Sequence, residues 1–248
     1  VTAPHSLLVV IPVYEHHRPI ARLLPKLLAH GVPVLLVDDG SGDECAASLR
    51  ALADATPAQV SLLRLPCNEG KGGAVIAGLR EAYRRGFTHA LQIDADGQHD
   101  PAQVPEFVAA SRAAPAAVVS GRPVYDDSVP RGRLYGRYLT HVWVWINTLS
   151  FDIADSMCGY RVYPLAPVQA LLERVRVGRR MDFDTEILVR LHWAGTAVRT
   201  LPTKVTYPED GLSHFRLWRD NVLISAMHAR LFVGMLWRSP WLLARKLR

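Results

Sequence analysis

The sequence predicts an α/β protein built on a doubly wound, mostly parallel sheet of Rossmann-like character with helices on both faces. Three observations carry this reading. Short, continuous apolar runs rich in β-branched residues recur along the first half of the chain, each is followed by a stretch with helical spacing, and a polar cluster sits directly after each run. Runs of this type are strands buried on both faces. A strand, a helix and a further strand at such intervals form the βαβ unit, whose right-handed crossover generates a doubly wound sheet.

Leu7 to Ile11 is the first strand, and Pro12 stops it. His16 to Gly31 follows as a helix with Ile20, Leu23, Leu24, Leu27 and Leu28 at helical spacing; Pro25 is expected to kink it. Val34 to Val37 is a second buried strand running into Asp38-Asp39-Gly40-Ser41-Gly42-Asp43, and Glu44 to Ala55 is the next helix. Val60 to Leu65 is a third strand, Gly72 to Arg85 a third helix ended by Gly86, and Ala90 to Ile93 a fourth strand. Pro101 marks a helix start, and Ala116 to Ser120 is a fifth strand. Open sheets of this class bind ligands beyond the carboxyl ends of their strands. The polar clusters fall there: Tyr14-Glu15, Asp38-Asp39, Asn68 to Lys71, Asp94 with Asp96, and Arg122.

The stretch Asp94-Ala95-Asp96-Gly97-Gln98-His99 carries most of the chemistry. Two carboxylates one residue apart at a strand end repel each other when ionised, and a divalent cation with an oxygen-rich ligand of its own is the natural partner. The competing reading is a polar strand end with a turn at Asp96-Gly97, which the polar clusters at the other strand ends make less attractive. Two familiar nucleotide sites are excluded. The first turn reads Pro12-Val13-Tyr14-Glu15-His16 and has no GxGxxG, while Asn68-Glu69-Gly70-Lys71-Gly72-Gly73 lacks the spacing and hydroxyl of a P-loop. The latter stretch can be a tight turn into a helix, or a turn that lets backbone amides and Lys71 approach phosphate.

With 248 residues and 49% hydrophobic content the chain can bury a sizeable core. Cys45, Cys67 and Cys158 are too few and too widely spaced for a disulfide framework. Val1 to Pro4 lacks the regions of a signal peptide, and the longest apolar candidate, Tyr138 to Phe151, is short and contains His141 and Asn147. A cytoplasmic location is expected, without a membrane span. The net charge of +6 allows nucleic acid, an anionic membrane surface or a phosphorylated substrate as partner. No nucleic-acid reader motif is present. The basic excess concentrates from Arg216 onward, with Arg219, Arg230, Arg238, Arg245, Lys246 and Arg248 against Asp220. Residues 1–213 read as one domain and 214–248 as a basic amphipathic helical tail, either attached to a membrane surface or packed on the domain. Arg131 to Arg137 opens a helix carrying Trp143, Trp145 and Ile146, with the same two readings.

The order and intervals of Val9 to Glu15, Val37 to Asp43, Asn68 to Gly72 and Asp94 to His99 resemble the family 2 glycosyltransferases of GT-A fold. Within them the chain is most similar to the dolichyl-phosphate mannose synthase and bactoprenol-phosphate glycosyltransferase branch, over roughly residues 7 to 215. The resemblance implies an inverting transfer of sugar from a UDP- or GDP-sugar to a lipid-linked, polyprenyl-phosphate-like acceptor on the inner membrane face. By this resemblance Pro12, Tyr14 and Glu15 line the nucleoside pocket, Asp39 accepts from a base N–H, and Asp94 contacts donor sugar or ribose. Asp96 and Gln98 bind Mg²⁺ or Mn²⁺ bridging the diphosphate, with His99 in support, and Arg122 joins Lys71 on phosphate.

On the acceptor side the resemblance implies that Arg133 and Arg137 grip a phosphate. Asp155 to Arg161 is similar to a DxxSGFR segment, which adds Arg161 to the acceptor residues. Phe183-Asp184-Thr185-Glu186 matches an FDxE pattern. Asp184 or Glu186 serves as base if the acceptor is a hydroxyl, and need only orient it if the acceptor is a phosphate. An acid at a helix start also acts as a cap. Pro208 and His214 stand where relatives carry an arginine and a lysine for phosphates, so His214 becomes the candidate there and the acceptor clamp is altered.

Overall fold

The computed structural model describes residues 4–124, 131–206 and 216–247, with backbone alone at 131–135. Its strands are β1 (Leu7–Val13), β2 (Val34–Asp38), β3 (Val60–Arg64), β4 (His89–Gln92), β5 (Val118–Val124), β6 (Arg161–Pro164) and β7 (Val198–Lys204). The helices are α1 (His17–Leu28), α2 (Asp43–Ala55), α3 (Lys71–Arg84), α4 (Val104–Ala113), α5 (Arg131–Thr148), α6 (Leu165–Arg174), α7 (Phe183–Trp193) and α8 (Leu217–Lys246). Among the described residues the strands form one sheet in the order β3-β2-β1-β4-β6-β5-β7.

The expected strands form, and their pairings are parallel where β1 meets β2 and β4 and where β2 meets β3. β6 and β7 are additions. β6 runs antiparallel between β4 and β5, setting Gln92 opposite Arg161. Reversal brings the start of β6 to the edge where the parallel strands end, so the Asp155 to Arg161 segment arrives at the ligand edge. β7 is a sheet edge carrying Arg199, Thr200 and Pro202, a pattern tolerated at edges and invisible to a search for apolar runs. Pro25 lies within α1 at an exposed position.

The strand pleat sorts the core into two layers. Leu8, Val10, Leu35 and Val37 face α3, α6, α7 and α8, whereas Leu7, Val9, Ile11, Val34 and Leu36 face α1, α2 and α4. α8 has two apolar faces. Met227, Leu231, Met235 and Leu242 are buried in the first layer, while Trp218 (85% exposed), Val222, Val233, Leu236, Trp237 (84%), Leu243 and Leu247 face outward. Trp143 of α5 meets Phe232 of α8 edge-on, with ring centroids 6.2 Å apart, and both are partly exposed. Among the described residues no helix is long and apolar enough to cross a membrane.

Candidate active site

The carboxyl ends of β1 and β2 are tied by short polar bonds. Glu15 sits at φ +57°, a conformation costly for a residue with a side chain, and its carboxylate accepts from Gly42 N at 2.6 Å while its own N–H donates to Ser41 Oγ. Asp39 is buried and accepts the backbone amides of Glu69 at 2.7 Å and Gly70 at 2.9 Å, one on each oxygen. Burial pushes its carboxyl above the usual range, and these amides oppose the rise. Asp39 therefore anchors the glycine turn to β2. Pro12 and Tyr14 are partly buried at the end of β1, the strand paired with β2.

The turn has to be glycine. Gly70 adopts φ +91°, and a Cβ there would lie 2.7 Å from the carbonyl oxygen of Arg179. It delivers Lys71 as the first residue of α3, with Nζ 2.8 Å from Asp94 and 2.8 Å from Asp184. Burial disfavours the ammonium, but the carboxylates of Asp184 and Asp94 outweigh it and push the Lys71 pKa up. The lysine expected on phosphate is thus engaged by two carboxylates that arrive from β4 and α7.

Asp94 and Asp96 follow β4. Asp94 Oδ2 meets Lys71, while its buried Oδ1 has no hydrogen-bond partner. A Cβ on Gly159 would collide with this carboxylate, so the segment before β6 can press against it only as glycine. Asp96 accepts Gln98 N at 3.0 Å through Oδ1. Burial and then the neighbouring Asp94 charge push its carboxyl up. His99 is buried, its Nδ1 unpartnered, its ring 5.2 Å from that of Tyr160. Burial lowers its pKa against the pull of Asp94 and Asp96. An orphaned carboxylate oxygen beside a carboxylate of raised pKa marks a place short of positive charge, which fits a divalent cation. Among the described residues no three His, Cys, Asp or Glu side chains could hold a metal ion. An ion here would draw further ligands from water and donor phosphates, the usual habit of Mg²⁺.

On the acceptor side the structure revises several expectations. Arg161 is fully buried, and its guanidinium bonds Ser120 Oγ, Tyr163 OH and the carbonyls of Asp184, Ser156 and Cys158 at 2.9–3.2 Å. Those contacts use all the N–H donors an arginine has. Arg161 is therefore not an acceptor ligand; it fastens the loop before β6 to the start of α7. Glu186 is 1% exposed, accepts Arg190 at 2.7 and 2.9 Å and Gly178 N at 2.8 Å, and lies 3.4 Å from Arg230. Enclosed by cations and backbone, it is not placed to act as a base. Arg137 forms a two-pronged pair with Asp155, at 2.6 Å on each arm. Asp155 also accepts Met157 N and Cys158 N; burial opposes its charge, but His141 and Arg137 hold its carboxyl down at about 2. Asp184 is gripped by Lys71 and by Gln92 Nε2 at 3.1 Å and caps nothing. Arg122 is exposed at the end of β5. The Arg133 side chain, Pro208 and His214 lie outside the described residues.

Sequence reasoning passed over Gln92 and gave Asp155 and Gly159 no role of their own within the Asp155 to Arg161 segment. Gln92 is the most instructive. It is fully buried in β4, donates to Asp184 and accepts from Tyr163 OH. An amide inside an otherwise apolar strand was the available signal, since such a group must find partners.

A seven-stranded sheet in this order, with its polar side chains gathered at one edge, is the α/β arrangement of GT-A glycosyltransferases. The profile of "Glycosyl transferase family 2" matches residues 8–172, and the chain belongs to that family of glycosyltransferases. It is 28% identical over 223 residues to an undecaprenyl-phosphate mannosyltransferase of Micrococcus luteus, covering 85% of this chain and 87% of that one. It is also 28% identical over 220 residues to a polyprenol monophosphomannose synthase of Mycolicibacterium smegmatis, covering 83% and 79%. In fold it resembles the solved mannosyltransferase PcManGT of Pyrobaculum calidifontis, in complex with GDP-Man and Mn²⁺, with a TM-score of 0.56, 18% identity, and coverage of 98% of this chain and 74% of that one.

Proposed function

We propose that this glycosyltransferase moves a sugar, mannose in the first instance, from a nucleotide sugar to a polyprenyl phosphate at a membrane surface. One observation carries the choice of acceptor: both carboxylates of the Phe183 to Glu186 motif are already bound by cations, Asp184 by Lys71 and Glu186 by Arg190. A hydroxyl acceptor needs a base to take its proton, whereas a phosphate brings an anionic oxygen and needs none. The relatives named for undecaprenyl and polyprenol phosphates support the same reading.

In this reading Pro12, Tyr14, Glu15 and the Asp39-anchored turn hold the nucleoside. Asp96 and Gln98, with the free oxygen of Asp94, hold Mg²⁺ or Mn²⁺; the solved mannosyltransferase with GDP-Man and Mn²⁺ supports a divalent ion in such a fold. The bound ion supplies charge neutralisation for the departing nucleoside diphosphate. Asp94 orients the sugar, and the acceptor phosphate enters from the side of α5 and Arg122, its oxygen attacking opposite the leaving group with inversion. The outward stripe of α8, with Arg219 and Arg230 exposed on its flank, lies on an anionic leaflet and brings the enzyme to its lipid.

The test is turnover with GDP-mannose and, separately, UDP-sugars, in Mn²⁺ or Mg²⁺, offered a short polyprenyl phosphate or the corresponding free polyprenol. Transfer to the phosphate alone is expected. Transfer to the alcohol at a comparable rate would overturn the reading and return Asp184 to the role of base.

A further inference from the structure

We propose that Lys71 is a positioning residue that sets the donor-side Asp94 and the acceptor-side Asp184 from a single ammonium, and that it is not a ligand of the donor phosphates. The inference rests on the chain being a glycosyltransferase and not on the identity of its acceptor. Three features lead to it.

First, the two contacts are equal and short, 2.8 Å each, and Lys71 Nζ stands between carboxylates from the end of β4 and the first turn of α7. These elements lie 90 residues apart in sequence, and Lys71 and Gln92 are the side chains that join Asp184 to the β4 end. Second, charge counting leaves nothing over for a phosphate. Lys71 contributes one positive charge against Asp94, Asp184 and the adjacent Asp96, so the cluster is negative with the lysine included. A diphosphate entering this cluster is drawn by a divalent ion, not by an ammonium already shared between two carboxylates. Third, the backbone is arranged to place this lysine. A cation at the first position of a helix is disfavoured by the helix dipole, and Gly70 adopts φ +91° with its N–H donated to Asp39 and with Arg179 and Arg180 standing where a Cβ would go. A position locally unfavourable for lysine is explained by what its ammonium holds.

The consequence is geometric. With Asp94 on the sugar and Asp184 on the acceptor, as the proposed function assigns them, a common cation fixes the separation of the two groups. Misplacement of such groups by about 1 Å costs on the order of a hundredfold in rate.

The experiment compares Lys71→Met, Lys71→Arg, Asp184→Asn and the double variant Lys71→Met/Asp184→Asn. Binding of GDP and UDP with Mn²⁺ is measured by calorimetry, and kcat and donor KM on whichever acceptor supports turnover. Lys71→Met is expected to lower kcat by roughly a hundredfold while nucleotide affinity stays within about threefold. Lys71→Arg, whose planar fork can bridge two carboxylates, recovers part of kcat. In the Asp184→Asn background, removal of Lys71 costs much less than in the wild type, because the two residues act as one unit. A tenfold or greater loss of nucleotide affinity in Lys71→Met, or additive kcat losses in the double variant, would overturn the proposal. The calorimetric arm needs no acceptor, so a failure to find turnover with polyprenyl phosphate bears on the proposed function and leaves the lysine test intact. Should Lys71→Met fold poorly, the double variant, which removes one charge of each sign, supplies the affinity measurement.

Discussion

Asp94 with Asp96 and Asp184 with Glu186 are acidic pairs of identical spacing, and the fold treats them in opposite ways. The first pair has one cation, Lys71, which it shares with Asp184: Asp94 Oδ2 meets Lys71 while its buried Oδ1 has no partner, and the Asp96 carboxyl is pushed up by burial and by Asp94. The second pair is surrounded by positive charge, with Asp184 on Lys71 and Glu186 between Arg190 and Arg230. Spacing announces that carboxylates meet at one place. Whether they wait for a ligand or brace the scaffold depends on the cations set around them, here Lys71 of α3, Arg190 of α7 itself and Arg230 of α8.

The sharpest way to break this contrast is to remove one member of each pair. Asp96→Ala is expected to reduce turnover by about a thousandfold or more, as loss of a metal-positioning group does. Because Asp96 is held in the fold against burial and a like charge, its removal should leave Tm unchanged or slightly raised. A thermal scan showing a large loss of Tm would place Asp96 with the scaffold instead. Glu186→Ala should behave in reverse. It leaves Arg190 partly buried without its partner, and breaking such a pair costs roughly 3 kcal/mol. For a chain of this size that lowers Tm by about 6 to 12 °C. Turnover per folded molecule should fall far less than in Asp96→Ala; equal losses of activity would return Glu186 to the catalytic side.

The asymmetry also explains what could be read from the sequence. The donor half is built from parallel strands whose apolar runs are local, and its polar residues follow those runs directly, so β1 to β5 and the Asp94 to Gln98 stretch were legible. The acceptor half depends on pairings between distant segments. β6 is a four-residue strand inserted antiparallel, and β7 an edge strand with few apolar residues, so neither carries a periodic signal. Arg161 and Arg137 were expected from the resemblance as acceptor ligands and Glu186 as a base candidate. Their partners, Ser120, Asp155 and Gly178, lie 41, 18 and 8 residues away, and burial of the whole network turns the same residues from ligands into fasteners. Gln92 shows the converse, a buried amide whose partner, Asp184, lies 92 residues further on.

The two faces of α8 extend the comparison to the surface. Trp218 and Trp237 are exposed and Met227 and Leu231 are buried on the same helix. Trp218→Ser/Trp237→Ser should therefore weaken co-flotation with anionic vesicles by about tenfold, the equivalent of roughly 1.4 kcal/mol. Tm should not change, because neither ring is packed on the domain. Unchanged flotation would detach the outward stripe from any membrane role.

The most gradual expected effect, spread over pH, concerns the seam between α5 and α8. His228 is buried there, accepts from Asn147 Nδ2 at 3.2 Å through Nδ1, and leaves Nε2 without a partner. Burial lowers its pKa to about 4. A histidine held neutral in the fold contributes stability that is fully present above its unfolded value near 6.5 and is lost as pH falls from there towards 4. Protonation removes the acceptor of the Asn147 bond and places a charge between two helices with no anion beside it. His5, His89, His99 and His192 are lowered in the same direction, so acid destabilisation in this window is shared among them. His228→Gln isolates one share: the stability gap between wild type and variant should shift in the variant's favour by about 1 kcal/mol per pH unit between 6.5 and 4. Asp155, with its carboxyl at about 2, contributes only below that window, where its pairing with Arg137 and His141 is lost as pH falls from about 4 to 2. A gap that stays constant across the higher window would mean that the α5–α8 seam admits water to His228. The acceptor half would then be looser than the Arg161 and Glu186 networks beside it imply.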